Sequence, residues 1–129
     1  MQTNKNDVKK FLEKLHDILN SAGFDIDSNF VLIQATKPGE DLKFSTMYTL
    51  MDLGYDAEDV VEVLRALTFQ DYSETLLDTG DADPPILLVF CKVLNKKEVY
   101  IKIKIRELLN NVICISFHYA KHSMNRPYL

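Results

Sequence analysis

The chain has 129 residues, of which 47% are hydrophobic and 26% are charged, an ordinary balance for a globular domain. This length favours a single domain, residues 1–129, with a hydrophobic core of its own. No apolar run approaches the length needed to cross a bilayer, and the polar first residues lead directly into a helical pattern. We therefore expect no signal peptide, no membrane partner and a cytoplasmic location.

The net charge of −4 is unevenly distributed along the chain. Residues 1–90 contain 17 acidic and 7 basic residues, whereas residues 91–129 contain 2 acidic and 8 basic residues. Such asymmetry indicates either a face that binds a polyanion or a lysine-rich strand that forms a solvated edge. Charge alone leaves both interpretations open.

The two cysteines, Cys91 and Cys114, lie inside apolar runs and lack the CxxC spacing of a metal or redox site. We expect buried free thiols, as is usual in a reducing compartment, rather than a disulfide or a metal site.

The first half of the chain predicts helices. Asn6 and Asp7 offer an N-cap, after which apolar residues recur at helical spacing until Gly23. His16 lies off this apolar stripe and is expected at the surface. Residues 30–33 predict a short strand, and residues 37–41 (Lys-Pro-Gly-Glu-Asp) predict a turn.

Two short helices follow. Ser45 or Thr46 caps the first, which ends at Gly54, and Asp56 caps the second. The acidic residues here have the positions of capping and solubilising groups rather than of a metal cluster. They are Asp52, Asp56, Glu58, Asp59 and Glu62.

The second half predicts strands. We interpret residues 68–79 as a transitional segment, residues 80–85 as a loop, and residues 86–94 as a central strand covered on both faces. The helical part spans about 7–78 and the strand part about 85–119. This order predicts an α+β fold, with N-terminal helices packed on a C-terminal antiparallel sheet.

Residues 98–121 carry the chemically informative pattern. Tyr100 and the basic residues Lys102, Lys104 and Arg106 alternate with Ile101, Ile103 and Ile105, which predicts a strand with one polar and one apolar face. Asn110 and Asn111 predict a hairpin turn. In the returning strand, Ile113, Ile115 and Phe117 are assigned to the core, and Val112, Cys114, Ser116 and His118 to the open face. The polar side chains of the two strands would then converge on the open face, where they suit phosphate chemistry.

Three segments of the chain from residue 44 onward resemble the MqsR family of bacterial toxins, a branch of the RelE-like mRNA interferases. The first is Leu-Met-Asp-Leu-Gly-Tyr-Asp at residues 50–56. The second is Leu-Thr followed by Asp-Tyr within residues 67–72. The third pairs Val-Tyr-Ile-Lys-Ile at residues 99–103 with Ile-Cys-Ile-Ser-Phe at residues 113–117.

The resemblance implies a RelE-like α+β endoribonuclease that cleaves single-stranded mRNA without a metal or other cofactor. A cognate antitoxin protein would neutralise it. In such enzymes the ribose 2′-hydroxyl attacks the adjacent phosphorus, a base accepts its proton, and an acid protonates the leaving 5′-oxygen. Cations stabilise the phosphorane.

The resemblance places the family's strand tyrosine at Tyr100 and its next lysine at Lys102. His118 replaces one family lysine, and histidine is an effective acid or base near neutral pH. Glu74 replaces another, which allows a Glu74–His118 acid/base pair, and Leu87 falls near a family glutamine. We expect Tyr100, His118 and Lys102 to be catalytic. The residues expected to bind substrate are Ser116, Lys104, Arg106 and Lys121.

Two other interpretations stay open. A non-catalytic module could keep the same fold and bind a protein or an RNA, having lost cleavage together with the family's glutamine and lysines. A purely structural α+β domain could carry the lysine-rich strand as a protected edge.

Overall fold

A computed structural model describes residues 1–36, 38–77 and 86–129. The predicted loop at residues 80–85 lies outside this range, as does Lys37 of the predicted turn. The helices are α1 (Lys5–Leu19), α2 (Ile26–Asn29), α3 (Thr46–Leu53) and α4 (Ala57–Arg65). The strands are β1 (Phe30–Leu32), β2 (Tyr72–Leu77), β3 (Ile86–Leu94), β4 (Lys97–Arg106) and β5 (Asn111–Tyr119).

The strands form one sheet in the order β1-β5-β4-β3-β2. Helices packed on this sheet confirm the predicted α+β class. The strands β2 to β5 pair antiparallel, whereas β1 pairs parallel with β5, so the sheet is mixed. Phe30 and its partner Val112 are far apart in the sequence, and only a long connection permits the parallel direction.

Strand β2 corrects the expectation that residues 68–79 are a transitional part of the helical half. Buried residues recur every third position along β2 instead of alternating. The register with β3 shifts between Tyr72 and Glu74, which makes Ser73 an extra residue in a β-bulge. This bulge hides the strand pattern in the sequence, and the antiparallel part of the sheet begins at residue 72.

Helix α1 confirms the predicted apolar stripe but begins earlier than predicted. Asn4, and not Asn6 or Asp7, is the N-cap: its side-chain oxygen accepts a hydrogen bond from the backbone N–H of Asp7 at 2.9 Å. His16 is half-buried, and its Nε2 lies 3.0 Å from the carbonyl oxygen of Leu64. It therefore connects α1 to the end of α4 instead of lying free at the surface.

Both helix starts predicted after residue 44 are confirmed. Ser45 Oγ accepts a hydrogen bond from the backbone N–H of Tyr48 at 3.1 Å, and Asp56 forms a reciprocal capping box with Asp59. Gly54 ends α3 with a φ of 69°, a left-handed conformation that glycine adopts without strain.

The core lies between the helices and one face of the sheet. A row of fully buried apolar side chains, Phe90, Ile101 and Phe117, crosses three neighbouring strands in register. Strand β3 is buried on both faces from Leu87 to Cys91, as predicted for a central strand. Burial of each large apolar side chain contributes about 1.5–3 kcal/mol, so this region holds the sheet rigid beneath its open face.

The predicted face assignment of β5 is wrong on the N-terminal side of Ser116. Lys102 pairs with Ser116, but Ile103 pairs with Cys114, so Ile115 is an extra residue in a second β-bulge. Alternation changes faces at a bulge. Cys114 and Val112 are therefore buried in the core, while Ile113 pairs with Lys104 of the open face.

Helix α3 covers the edge of β5 that β1 does not reach. Strand β1 pairs with residues 112–114 only. Further along, the backbone N–H of Phe117 donates to Thr46 Oγ1 at 3.1 Å, and that of Tyr119 donates to Thr49 Oγ1 at 3.0 Å. The two threonine hydroxyls thus satisfy backbone groups that another strand would otherwise pair.

The end of β5 is fixed to the same helix. Tyr119 donates its hydroxyl hydrogen to Asp52 Oδ2 at 2.6 Å. Burial, followed by the hydrogen bond to Asp52 and its negative charge, raises the pKa of Tyr119 to about 12. The phenol is therefore neutral throughout the physiological range and acts as a donor to the helix.

Cys91 and Cys114 are buried free thiols, as predicted. Burial raises the pKa of Cys91 to about 11 and that of Cys114 to about 12, so both remain protonated near neutral pH. Within the described ranges, no helix is both long and apolar enough to cross a membrane.

The hydrogen bond from the backbone N–H of Tyr119 to Thr49 predicts that Thr49→Val destabilises the fold. This substitution keeps the shape of the side chain but removes the hydroxyl. The N–H of Tyr119 would be buried without an acceptor, and we expect the free energy of unfolding in urea to fall by about 1–3 kcal/mol. Thr49→Ser keeps the acceptor and should lose less. Equal losses in the two variants would show that the hydroxyl does not stabilise the edge.

The Tyr119–Asp52 contact predicts a pH dependence. The pKa of Tyr119 is higher in the folded state than its ordinary value of 10.0. The protonated phenol therefore makes its full contribution to the free energy of unfolding below pH 10, and this contribution is lost between pH 10 and about 12. We expect Tyr119→Phe to lower the free energy of unfolding by about 1–2 kcal/mol at pH 7 and to weaken its decline above pH 10. The same alkaline decline in the wild type and in Tyr119→Phe would contradict this assignment.

Candidate active site

The face of the sheet opposite the helical core carries a cleft of about 880 Å³, which we call the open-face cleft. It is lined by β2, β4 and β5, by the start of α3, and by residues 120–125. Six residues predicted from the sequence line it together: Glu74, Tyr100, Lys102, Ser116, His118 and Lys121. The structure therefore gathers five strand residues and one loop residue around a single space.

Tyr100 and His118 form the centre of the cleft. They lie on the same face of the sheet, as predicted. The structure makes them direct partners across β4 and β5, and their rings stack with centroids 5.0 Å apart and planes 10° apart. Asn110 supplies the positive φ of 49° that closes the hairpin between these strands. The stacked pair places a phenol and an imidazole side by side at the surface of a rigid sheet.

His118 is oriented by the backbone. Its Nδ1 lies 2.9 Å from the carbonyl oxygen of Tyr119. A carbonyl oxygen can only accept, so Nδ1 carries the hydrogen and donates it. In the neutral ring Nε2 then carries a lone pair, which suits a base, and in the charged ring Nε2 carries a proton, which suits an acid.

Tyr100 remains protonated near neutral pH. Half-burial of the phenol, followed by the negative charge of Glu74, raises the pKa of Tyr100 above its ordinary value of 10.0. A neutral phenol can donate a hydrogen bond or a proton but is not a base. In this cleft His118 is therefore better suited to accept a proton, and Tyr100 to donate one.

The two β-bulges lie on opposite sides of the cleft. The extra residue Ser73 precedes Glu74 on β2, and the extra residue Ile115 precedes Ser116 on β5. In the register of the sheet, Glu74, Val89, Lys102 and Ser116 form one row across four strands. Bulges commonly redirect side chains next to functional sites, and here they align a carboxylate, an ammonium and a hydroxyl in that row.

Lys104 and Arg106 do not line the open-face cleft. Both lie beside a second cleft of about 830 Å³, between the end of β4 and α1. Lys104 is only 7% exposed and so offers little surface to a substrate, whereas Arg106 is exposed. Their predicted role in substrate binding therefore concerns a different part of the surface from the Tyr100–His118 pair.

Sequence reasoning missed several residues that line the cleft. Ser45 and Thr46 reach it because α3 covers the edge of β5, and Ser73 reaches it through a bulge. No local pattern signals either contact. The alternation of polar and apolar residues identifies only the residues of the strands themselves.

The donor set does not point to a metal. Within the described part of the chain, no three His, Cys, Asp or Glu side chains converge as metal ligands would. The acidic residues assigned to capping and solubility lie at exposed positions of α3 and α4 or at their ends. The chemistry available in the cleft comes from imidazole, phenol, ammonium and carboxylate groups.

Comparisons of the chain with protein-family models, with curated proteins and with solved structures gave no match. The resemblance to MqsR-like toxins consequently stays a prediction from the residues, and the functional hypothesis depends on the geometry of the cleft.

The cleft predicts an electrostatic link between Glu74 and Tyr100. Removing the charge in Glu74→Gln should lower the pKa of Tyr100, but not fully to its ordinary value, because burial is the larger cause. NMR titration of protein with ¹³C-labelled tyrosine measures this directly. Glu62→Gln, on α4, is the control; an unchanged pKa in Glu74→Gln would mean that the carboxylate does not act on this phenol.

Proposed function

We propose that this protein is a metal-independent endoribonuclease that cleaves single-stranded RNA by attack of a ribose 2′-hydroxyl on the adjacent phosphorus. The observation that supports the proposal is the stacked Tyr100–His118 pair. It sets a group able to accept a proton beside a group able to donate one, in an open cleft that also contains Lys102 and Lys121. Transesterification of RNA requires these functions and no metal.

His118 would be the general base. The carbonyl of Tyr119 holds the hydrogen on Nδ1, so Nε2 can accept the proton of the 2′-hydroxyl as its oxygen bonds to phosphorus. The resulting imidazolium keeps its hydrogen bond to the carbonyl and gains an attraction to the phosphorane. General base catalysis of this kind contributes about 10²–10⁴-fold to rate.

Tyr100 would be the general acid. As the bond from phosphorus to the 5′-oxygen breaks, the phenol gives its proton to that oxygen. The phenolate later regains a proton from solvent, and the imidazolium of His118 releases to solvent the proton that it accepted. The products are a 2′,3′-cyclic phosphate and a 5′-hydroxyl. The phenol holds its proton until the leaving oxygen develops charge, and the negative charge of Glu74, which raises the pKa of Tyr100, makes it a weaker acid.

Lys102 would stabilise the negative phosphorane, whereas Lys121 and Ser116 would bind the phosphate group of the RNA. Glu74 is less suited to act as the partner of His118. It lies on β2, three strands from β5, and strand spacings of ~4.8 Å put the two backbones ~14 Å apart. We therefore assign the acid/base pair to Tyr100 and His118.

A non-catalytic RNA-binding module is the alternative. It is favoured by Glu74, because a carboxylate in the cleft opposes the negative charge that develops on the phosphorane and so disfavours cleavage, whereas Lys102 and Lys121 can still bind phosphate. The proposal also implies a cytoplasmic protein whose cleft is blocked by an antitoxin protein.

We expect the purified protein to cleave a mixed-sequence single-stranded RNA in EDTA. The new ends should be cyclic phosphates and 5′-hydroxyls, which mapping of the ends measures. His118→Ala and Tyr100→Phe should each lower the rate by about 10²–10⁴-fold, because each removes one proton-transfer group.

Tyr48→Phe is the matched control for Tyr100→Phe, since Tyr48 lies on α3 outside the cleft. Thermal unfolding of every variant verifies that it is folded. If the folded wild-type protein leaves the RNA uncleaved, the proposed nuclease activity is rejected. Binding that still weakens with salt, with a slope near −0.7 per phosphate contact, would then identify the binding module.

A further inference from the structure

The segment that follows β5 forms one wall of the open-face cleft. Residues 121–125 all line the cleft, and they include the cation Lys121. The segment has no regular secondary structure. Its position must therefore be set by contacts with other parts of the chain.

The backbone hydrogen bonds of this segment converge on one residue of β4. In the described part of the chain, the backbone N–H groups of residues 120–125 donate two hydrogen bonds, and Glu98 accepts both. Ala120 donates to the Glu98 carbonyl oxygen at 2.9 Å, and Met124 donates to Glu98 Oε1 at 3.1 Å. The carbonyl and carboxylate of a single residue thus close the loop at both ends.

The carboxylate of Glu98 is itself held in place. Its second oxygen, Oε2, lies 3.4 Å from the thiol of Cys91, a fully buried residue of β3. Burial, followed by this hydrogen bond and the charge of Glu98, raises the pKa of Cys91 to about 11. The thiol therefore keeps the hydrogen that it donates to the carboxylate.

The side chain of Lys121 contacts an aromatic ring. Its Nζ lies 5.9 Å from the ring centroid of Phe44, just before α3. Cation–π contacts of this kind are weak at exposed sites, about 0.5–1 kcal/mol. The two hydrogen bonds from the backbone to Glu98 therefore restrict the position of the Lys121 ammonium more strongly than this contact does.

We propose that Glu98 is a positioning residue, which fixes the wall of residues 120–125 so that Lys121 is already in place when the phosphate of an RNA enters the cleft. The inference rests on the proposed function. Glu98 would contact no substrate and would act only through the wall. A wall ordered before binding avoids the entropy cost of ordering it on association, so Glu98 should act on affinity and not on the chemical step.

Three variants test this role. Glu98→Ala removes both side-chain hydrogen bonds, Glu98→Gln keeps an acceptor for Met124, and Glu13→Ala on the exposed face of α1 is the control. Amide hydrogen exchange of residues 120–125 measures the order of the wall without any RNA. Binding of a non-cleavable 2′-O-methyl RNA and the separate kcat and KM values for cleavable RNA measure its consequence.

We expect Glu98→Ala to speed amide exchange at Met124 and its neighbours. The Kd and KM should rise about tenfold with kcat little changed, the pattern of a lost binding contact. Glu98→Gln should retain most of the protection and affinity. Should Glu98→Ala fail to fold, Met124→Pro replaces it, because it deletes the donor and leaves the carboxylate.

The role would be overturned by unchanged exchange at Met124 in Glu98→Ala, by a lower kcat at constant KM, or by equal damage in Glu98→Gln and Glu98→Ala. Failure of the nuclease is a separate outcome. If the wild type neither binds nor cleaves RNA, the proposed function is rejected, and the exchange data still decide whether Glu98 holds the wall.

Discussion

The candidate site depends on the register between β4 and β5. Tyr100 can stack on His118 only when these residues are direct partners, and a slip of one residue would turn His118 toward the core. The register is well defined because the same pairing also aligns Ile101 with the fully buried Phe117. Burial on one face of the sheet therefore determines the chemistry on the other.

The bulge at Ile115 reconciles two demands on β5. A regular strand that buries Phe117 would expose Cys114 and Val112, both of which are fully buried. The extra residue returns them to the core while it keeps Ser116 beside Lys102. The bulge at Ser73 does the same for Glu74 on the other side of the cleft. Both interruptions of the strand pattern thus occur where polar side chains enter the cleft.

The structural features that the sequence predicts correctly are those determined by residues close together in the chain. The capping of α3 and α4, the buried strand β3 and the shared face of Tyr100 and His118 all follow from patterns within a few residues. The pattern of β2 and the face of Val112 were missed because a bulge reverses the alternation. The parallel pairing of β1, and the position of Thr46 beside the cleft, depend on contacts between residues far apart in the chain.

The hydroxyls of α3 substitute for a strand over a limited distance. Thr46 and Thr49 are three residues apart, which spans ~4.5 Å along a helix axis. Their partners Phe117 and Tyr119 are two residues apart, which spans ~6.7 Å along a strand. The mismatch of ~2 Å is within the reach of two side chains, but it would double at a third hydrogen bond between the helix and the strand. A longer α3 would therefore protect no more of the edge of β5, and two hydrogen bonds are the limit for a helix that takes the place of a strand.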